Sequence, residues 1–154
     1  MKRFPSLMLI AGLALACDGD SPAEPGEAFT GTWVWVGSEG GLTGEERTPA
    51  TEGVTIVLEY DGHTARAYRD GALVDETIYH VETLPTAGPL PTYRVEYEQP
   101  LDAFPFESLD EHTIVTLDAD TVRFDDPCCD RYQHTMVDAG SVLAERVDAG
   151  AASP

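Results

Sequence analysis

The chain has 154 residues, of which 42% are hydrophobic, so it is long enough for one domain with a buried core and is not composed like a disordered protein. Its formal net charge of -19 at pH 7 argues against a nucleic-acid binder and against an electrostatic membrane binder, since both rely on cationic side chains. Lys2 is the only lysine and asparagine is absent, which indicates GC-rich codon usage first and a saline habitat second. We therefore interpret the acidic excess as a solvated surface.

Residues 1–16 have the pattern of a signal peptide. A cationic start at Lys2 and Arg3 precedes the apolar run LMLIAGLAL, which is shorter than the roughly 20 residues that span a bilayer and suits a signal peptide. The following LALAC resembles the lipobox of bacterial lipoproteins. That resemblance implies that Cys17 is the lipid-modified N-terminus of the mature chain. The alternative is a plain secretory signal that is cleaved after Ala16.

Residues 17–28 are predicted to be a lipidated, flexible tether. They are polar, contain two prolines and show no periodic apolar pattern. Acyl chains on Cys17 would hold the protein on a membrane, at about 0.8 kcal/mol for each buried methylene. The predicted location is therefore the bacterial cell envelope, with the choice between inner and outer membrane left open.

From Phe29 onward, apolar and polar residues alternate with the period of two that is typical of β-strands. The pattern predicts eight strands, and it places Leu73 on the same face as Tyr79 in the fourth of them. The strands lie in the segments TGTWVWVG, GVTIVLEY, HTARAYRDG, ALVDETIYHVE, TYRVEYE, HTIVTLD, DTVRFDD and DRYQHTMVD.

The connections predicted between these strands are short. Asp61-Gly62 and Asp70-Gly71 are typical of hairpin turns in which glycine supplies a positive φ, and Asp118–Asp120 is a short turn of the same sort. Eight sequential strands predict an all-β fold over residues 29–138, an eight-stranded antiparallel up-and-down β-barrel, because closure removes exposed edges. A two-sheet sandwich is the alternative. Residues 139–154 are predicted to be a flexible tail with at most one helical turn.

An eight-stranded barrel has an interior that is either filled by side chains or just wide enough for one small ligand. Ten large side chains are candidates for lining a ligand cavity, although ordinary core packing explains most of them equally well. These candidates are Trp33, Trp35, Tyr60, Tyr68, Tyr79, Tyr93, Tyr97, Phe124, Tyr132 and Met136.

Several motifs occur together over residues 29–137: Gly31-Thr32-Trp33, SEGGLTG at 38–44 with Thr48-Pro49, and the segments GVTIVLEYDG, YRDGALVDETIYHV and DTVRFDDPCCDRYQH. On these motifs the chain resembles the lipocalin-like lipoproteins of bacteria. The resemblance implies a membrane-anchored, non-catalytic binding or accessory module for a small apolar ligand. A structural envelope lipoprotein with a filled barrel is the alternative, and an enzyme that uses the barrel mouth is the least favoured. Inward aromatic rings without space between them would favour the filled barrel.

Cys128 and Cys129 are adjacent, which suits neither the Cys-x2-4-Cys spacing of zinc sites nor a Cys-x-x-Cys redox pair. A free pair and a vicinal disulfide remain. We favour the vicinal disulfide, although it is a strained bond because adjacent Cα atoms lie only about 3.8 Å apart. An exported location promotes oxidation, and lipidation of Cys17 leaves an even number of thiols. Pro127 places the pair in the turn before the last strand.

The sequence contains no Gly-x-Ser-x-Gly elbow, Walker loop, dinucleotide fingerprint or His-Glu-x-x-His motif. No catalytic residue, metal ligand or cofactor is therefore predicted. The glycine-rich residues 37–44 are predicted to form a flexible lid at the barrel mouth. His80 and His134 can meet inside the barrel with Glu82 or Tyr132, but ordinary hydrogen-bonded histidines are the favoured interpretation.

Overall fold

The computed structural model describes residue 27 and residues 30–41, 43–86, 88–109, 113–118, 120–125 and 130–141. These residues form nine strands, one short helix, α1 (Pro49–Glu52), and a helical stretch at residues 139–141. The strands are β1 (Gly31–Gly40), β2 (Glu45–Arg47), β3 (Ile56–Tyr60), β4 (Thr64–Arg69), β5 (Ala72–Leu84), β6 (Thr92–Tyr97), β7 (Thr113–Asp118), β8 (Thr121–Asp125) and β9 (Tyr132–Asp138).

Eight of the strands close into an antiparallel barrel. They pair in the order β1-β3-β4-β5-β6-β7-β8-β9, and β1 also pairs with β9, which closes the ring. These eight strands correspond to the eight predicted segments, so the all-β barrel is confirmed and the two-sheet alternative is excluded. Closure gives every barrel strand a partner on both sides and removes the exposed edge of an open sheet.

The first half of the glycine-rich segment predicted as a lid, residues 37–40, is instead part of the sheet. Strand β1 continues to Gly40, and β2 returns beside it with Ser38 opposite Arg47. Glycine is required at position 40, because φ is +148° and a Cβ atom there would lie 2.4 Å from the carbonyl oxygen of Arg131. The segment therefore supplies a two-stranded extension at one end of the barrel.

The two predicted Asp-Gly turns are confirmed, whereas the turn predicted at 118–120 lies partly outside the described residues. Asp70 and Gly71 both have positive φ, at 51° and 80°, as a tight two-residue hairpin requires, and Gly62 has a φ of 93°. The Asp70 carboxylate also accepts a hydrogen bond from the backbone N–H of Thr55, at 2.9 Å, which ties this turn to the start of β3.

The strand directions define two ends of the barrel. At the base end β1 begins and β9 finishes, and the β3–β4, β5–β6 and β7–β8 connections lie there. At the opposite end, named the plug end below, lie the end of β1, the β4–β5 turn and the long connection from β6 to β7. The N-terminal segment thus joins the barrel at the base end.

One predicted face is wrong. Leu73 was expected to point inward with Tyr79, but it is 54% exposed whereas Tyr79 is buried. The pairing of β4 with β5 shifts between Ala67 and Tyr68, where β5 carries an extra residue. Because a one-residue shift moves a side chain to the other face of a sheet, this β-bulge turns Leu73 outward.

The predicted signal peptide, most of the tether and most of the tail lie outside the described residues. Residues 139–141 are helical, in line with the single turn predicted there. Within the part of the chain that the structure describes, no helix is long and apolar enough to cross a membrane.

Candidate functional site

Eight of the ten cavity candidates are buried on the inner face of the barrel, as the alternation predicted. They belong to six different strands, and Trp35, Tyr60, Phe124 and Met136 are at most 1% exposed. The eight are Trp33, Trp35, Tyr60, Tyr79, Tyr93, Tyr97, Phe124 and Met136.

The other two candidates do not line the centre of the barrel. Tyr68 lies on the outer face, because Ala65 and Ala67 of the same strand are the residues that point inward and are fully buried. Its hydroxyl donates to the Glu59 carboxylate at 3.3 Å. Tyr132 is half-buried at the plug end, at the first position of β9. Tyr68 is therefore removed from the candidate site.

Four inward rings, named the tyrosine layer here, pack directly against one another. Tyr60 lies edge-on to Tyr79 at 5.1 Å between ring centroids and stacks on Phe124 at 6.1 Å. The hydroxyls of Tyr60 and Tyr97 are 2.8 Å apart and share a hydrogen bond. Burial raises the pKa of both phenols well above the ordinary value, so both stay neutral. The Tyr79 hydroxyl accepts from the Gly62 backbone N–H at 3.0 Å, which places this layer towards the base end.

The other end of the barrel is closed by residues 101–109, named the plug. Leu101 and Leu109 pair in an isolated antiparallel bridge and are buried, as are Ala103 and Phe104 between them. In the ring of eight strands, β6 lies four strands from β1 in either direction. A connection that leaves β6 and contacts β1 and β9 therefore spans the mouth of the barrel.

Two phenylalanines of the plug pack onto side chains of β1 and β9. The Phe104 ring lies 3.9 Å from the His134 imidazole and only 6° from parallel to it, and it meets Trp35 edge-on at 5.7 Å. Phe106 contacts Trp35 at 6.0 Å and Tyr132 at 5.1 Å. The plug thus fills this part of the interior with aromatic rings.

A buried polar chain lies beneath the plug. The indole Nε1 of Trp35 donates to Ser38 Oγ at 2.9 Å, and Ser38 Oγ lies 2.7 Å from His134 Nδ1. Burial lowers the pKa of His134 to about 3. The Glu107 carboxylate, 3.6 Å from Nε2, favours the charged imidazole, so desolvation is the larger of these opposing effects. His134 is therefore neutral at neutral pH.

Glu107 of the plug faces three groups on β9 and just before it. One carboxylate oxygen accepts from the Tyr132 backbone N–H at 3.2 Å and lies 3.6 Å from His134 Nε2. The other oxygen lies 3.7 Å from Arg131 Nε. The carboxylate therefore sits beside the ring of Phe104 at the same wall of the barrel.

Arg69, the last residue of β4, holds the other side of the plug. Its guanidinium donates to the carbonyl oxygens of Asp102, Ala103 and Phe104 at 2.7, 3.0 and 3.2 Å. It also lies 3.1 Å from the Asp102 carboxylate. Asp75 adds a hydrogen bond from the Asp102 backbone N–H, at 2.7 Å.

Arg47 of β2 covers the outer side of the plug. Its guanidinium carbon lies 4.6 Å above the Phe106 ring, and its Nε donates to the Tyr132 hydroxyl at 2.9 Å. It also pairs with Glu45 at 2.9 Å and Glu52 at 3.1 Å. Two carboxylates thus compensate its charge, and the β1–β2 extension serves as a support for the plug.

Ser38, His134 and Glu107 place a hydroxyl, an imidazole and a carboxylate in a row, as the catalytic triads of many hydrolases do. The surroundings of this row argue against catalysis. Ser38 is 1% exposed and His134 is 2% exposed, with Phe104 stacked on the imidazole. With the plug in place, a hydroxyl enclosed in this way does not meet a substrate carbonyl, and an imidazole with so low a pKa is a weak general base. The chain of hydrogen bonds acts here as a satisfied buried network.

The less favoured possibility, a meeting of His80 with His134 inside the barrel, is excluded. His80 is exposed on the outer face of β5, where it pairs in register with Glu96 of β6, while His134 points into the barrel. His63 is exposed in the β3–β4 turn. The remaining histidine, His112, lies outside the described residues.

Sequence reasoning missed the plug, the Ser38–His134 hydrogen bond and the role of Arg69. A signal for the plug is present, because Leu101, Phe104 and Phe106 are large apolar residues in a proline-containing connection with no strand pattern. Several large apolar side chains close together are usually buried in a core, and here the barrel mouth buries them. The Ser38–His134 pair spans 96 positions and leaves no local pattern.

Cys17, Cys128 and Cys129 lie outside the described residues, so lipidation and the vicinal disulfide stay predictions. No protein-family model, curated protein or solved structure matches this chain. The resemblance to lipocalin-like lipoproteins therefore stays a prediction.

Proposed function

We propose that the protein is a non-catalytic, lipid-anchored, lipocalin-like lipoprotein of the bacterial cell envelope, with a barrel that is filled by its own side chains. The observation that carries the filled form is the Phe104 ring, seated 3.9 Å from the His134 ring and 1% exposed. Rings of the tyrosine layer also contact one another directly. Such a barrel acts as a structural or accessory module through its outer surface.

The proposed anchor is the lipid on Cys17. Residues 17–28 would act as the tether, and the chain after them enters β1 at the base end of the barrel. An extended chain spans at most about 3.5 Å per residue, so the tether sets an upper limit on the distance between barrel and membrane. In this arrangement the base end is nearer to the attachment point, and the plug end is the part presented away from it.

The acidic outer surface fits a module that stays solvated next to a membrane. Arg66 on β4 pairs with Glu59 and Asp61 at 3.2 and 3.1 Å and also contacts Glu76, so a single cation is surrounded by carboxylates. A large net charge opposes self-association. The proposal includes no nucleic-acid partner.

The test is a native mass spectrum of the protein purified from its own cells, with a Cys17→Ser variant as the control. We expect a mature chain that begins at Cys17 with the added mass of acyl groups, and a control that is absent from the membrane fraction. A water-soluble chain with an unmodified Cys17 would contradict the anchor. The same spectrum reports the loss of two hydrogens expected for a Cys128–Cys129 disulfide.

A small-ligand carrier is the second candidate function, and one observation favours it. The mouth of the barrel is closed by a connection between strands, held by side chains and one isolated bridge, rather than by the strands themselves. Such a segment can open without breaking the barrel. A noncovalent small-molecule mass retained in the native spectrum would favour this carrier over the filled scaffold.

A further inference from the structure

The plug presents two chemical groups side by side to the wall of the barrel. The first is the flat ring of Phe104, which stacks on the His134 imidazole and meets the edge of Trp35. The second is the carboxylate of Glu107, which accepts a hydrogen bond from the Tyr132 backbone N–H. A planar ring with a carboxylate next to it is also the description of an aromatic carboxylic acid.

The hydrogen-bond network defines what the wall offers to that carboxylate. Trp35 Nε1 can only donate, so Ser38 Oγ accepts its hydrogen. Ser38 Oγ also lies 2.7 Å from His134 Nδ1, and the Glu107 carboxylate beside Nε2 favours the tautomer in which Nδ1 accepts the Ser38 hydroxyl hydrogen. In this tautomer His134 carries its hydrogen on Nε2, 3.6 Å from the Glu107 carboxylate, and thus presents a donor to the plug.

Withdrawal of the plug would take the same acceptor away from several donors at once. His134 Nε2 and the Tyr132 backbone N–H would lose the Glu107 oxygen that they face, and Arg131 would lose its neighbouring carboxylate. Any occupant that buries these donors again must supply an acceptor, because a donor buried without one is costly. The faces of His134 and Trp35 favour a flat ring in the same occupant.

The plug is held closed by a residue that takes no part in this slot. Arg69 binds three carbonyl oxygens of the plug backbone from the end of β4, and its side chain is 25% exposed. The described contacts of its guanidinium are to plug backbone and to the Asp102 carboxylate, and not to the ring of Phe104. The closed state can therefore be weakened without alteration of the residues that would receive a ligand.

We propose that the plug is a displaceable internal occupant, and that the slot beneath it binds a planar aromatic carboxylate. The inference builds on the second candidate function, supplies its ligand class and names Arg69 as the residue that holds the slot closed. It does not depend on the lipid anchor, so a result against the Cys17 lipid would leave it standing. In the wild-type protein the plug is out in only a small fraction of molecules, and this small fraction lowers the apparent affinity for the ligand.

The test uses the full chain and three probes that share one ring system: 2-naphthoate, 2-naphthalenemethanol and 2-naphthylmethylamine. Their affinities are measured by calorimetry for the wild-type protein, for Arg69→Ala and for Arg94→Ala. Arg94 is the matched control, because it is also an arginine at a strand residue paired with a carboxylate, Glu82 at 3.0 Å, but does not contact the plug in the described structure. Hydrogen exchange of residues 101–109 is measured on the same samples.

We expect Arg69→Ala to raise exchange in the plug and to bind 2-naphthoate at least tenfold more tightly than the wild type, while Arg94→Ala matches the wild type. The acid should bind at least tenfold more tightly than the alcohol or the amine. Equal affinity for all three probes would overturn the proposal. So would an Arg69→Ala variant in which residues 101–109 exchange faster but 2-naphthoate does not bind.

A second variant covers the case in which Arg69→Ala does not fold or does not open. Glu107→Gln keeps the shape of the side chain but removes the charge that competes with the ligand carboxylate. We expect it to bind 2-naphthoate several-fold more tightly than the wild type and to leave the affinity for the alcohol unchanged. If 2-naphthoate neither binds Glu107→Gln more tightly nor raises exchange of residues 101–109 in the wild type at millimolar concentration, the slot is not a ligand site.

Discussion

The two aromatic layers of the barrel contain similar rings but are supported in different ways. In the tyrosine layer every ring is carried by a strand that is hydrogen-bonded to a neighbour on each side. In the plug layer, Phe104 and Phe106 are carried by a connection that has one isolated bridge and depends on Arg69, Glu107 and packing. Similar burial therefore goes with different local stability, because the free energy of opening depends on the backbone that carries the side chain.

The largest expected effect comes from Phe124→Ala, compared with Phe104→Ala. Both rings are 1% exposed, so the two truncations remove the same side chain from the same degree of burial. Phe124→Ala should lower the free energy of unfolding by about 3–5 kcal/mol, because a strand cannot move into the cavity. Phe104→Ala should cost less, because the plug can relax. Chemical denaturation measures both.

Hydrogen exchange sharpens that pair of variants. Phe104→Ala should raise exchange at residues 101–109 while the barrel strands keep their protection, whereas Phe124→Ala should raise exchange throughout. Equal loss of global stability with uniform exchange in both variants would show that the plug is as integral to the fold as the strands.

The next effect is the pH dependence of the plug layer. The pKa of His134 is lowered to about 3 in the folded protein from an ordinary value of 6.5, so the unfolded chain takes up a proton first as the pH falls. Stability from this group is complete above pH 6.5 and is lost below it at up to about 1.4 kcal/mol per pH unit. Between pH 6.5 and pH 4, the free energy of unfolding should fall by up to about 3 kcal/mol more in the wild type than in His134→Gln. Parallel stability curves would contradict a buried neutral His134.

Gly40→Ala tests the support beneath the plug. The new Cβ atom would lie 2.4 Å from the Arg131 carbonyl oxygen at a positive φ of 148°, and such backbone strain costs about 1–3 kcal/mol. Gly44→Ala is the control, because nothing lies within 4 Å of a Cβ atom there, although its φ is also positive at 64°. Equal thermal midpoints for the two variants would argue against the close contact between β1 and β9 at the plug end.

The smallest effect is expected from Tyr97→Phe in the tyrosine layer. It removes one hydroxyl of the Tyr60–Tyr97 hydrogen bond and keeps the ring, so the cost should be about 1 kcal/mol. Exchange at residues 101–109 should not change, because the plug layer is built from other side chains. A large rise in exchange there would show that the two layers are coupled.

Much of the barrel could be predicted from the sequence, because its signals are local. The alternation in β3 requires only that Ile56, Leu58 and Tyr60 share one face, and all three are buried. Asp70-Gly71 specifies its turn through the positive φ of adjacent residues. Leu73 departs from the alternation because the β-bulge that turns it outward arises from pairing with a second strand.

The candidate site could be predicted only in part, for the same reason. The sequence by itself indicated most of the side chains that face inward, since a strand alternates its side chains with a period of two, but it did not show that Tyr68 lies on the outer face. Only the tertiary structure decided that the interior holds rings in contact, because the β6–β7 connection crosses the barrel mouth and brings Phe104 onto His134 of β9. The Trp35–Ser38–His134 chain and the Arg69 clamp likewise join residues distant in sequence, and such contacts exist only after the barrel has closed.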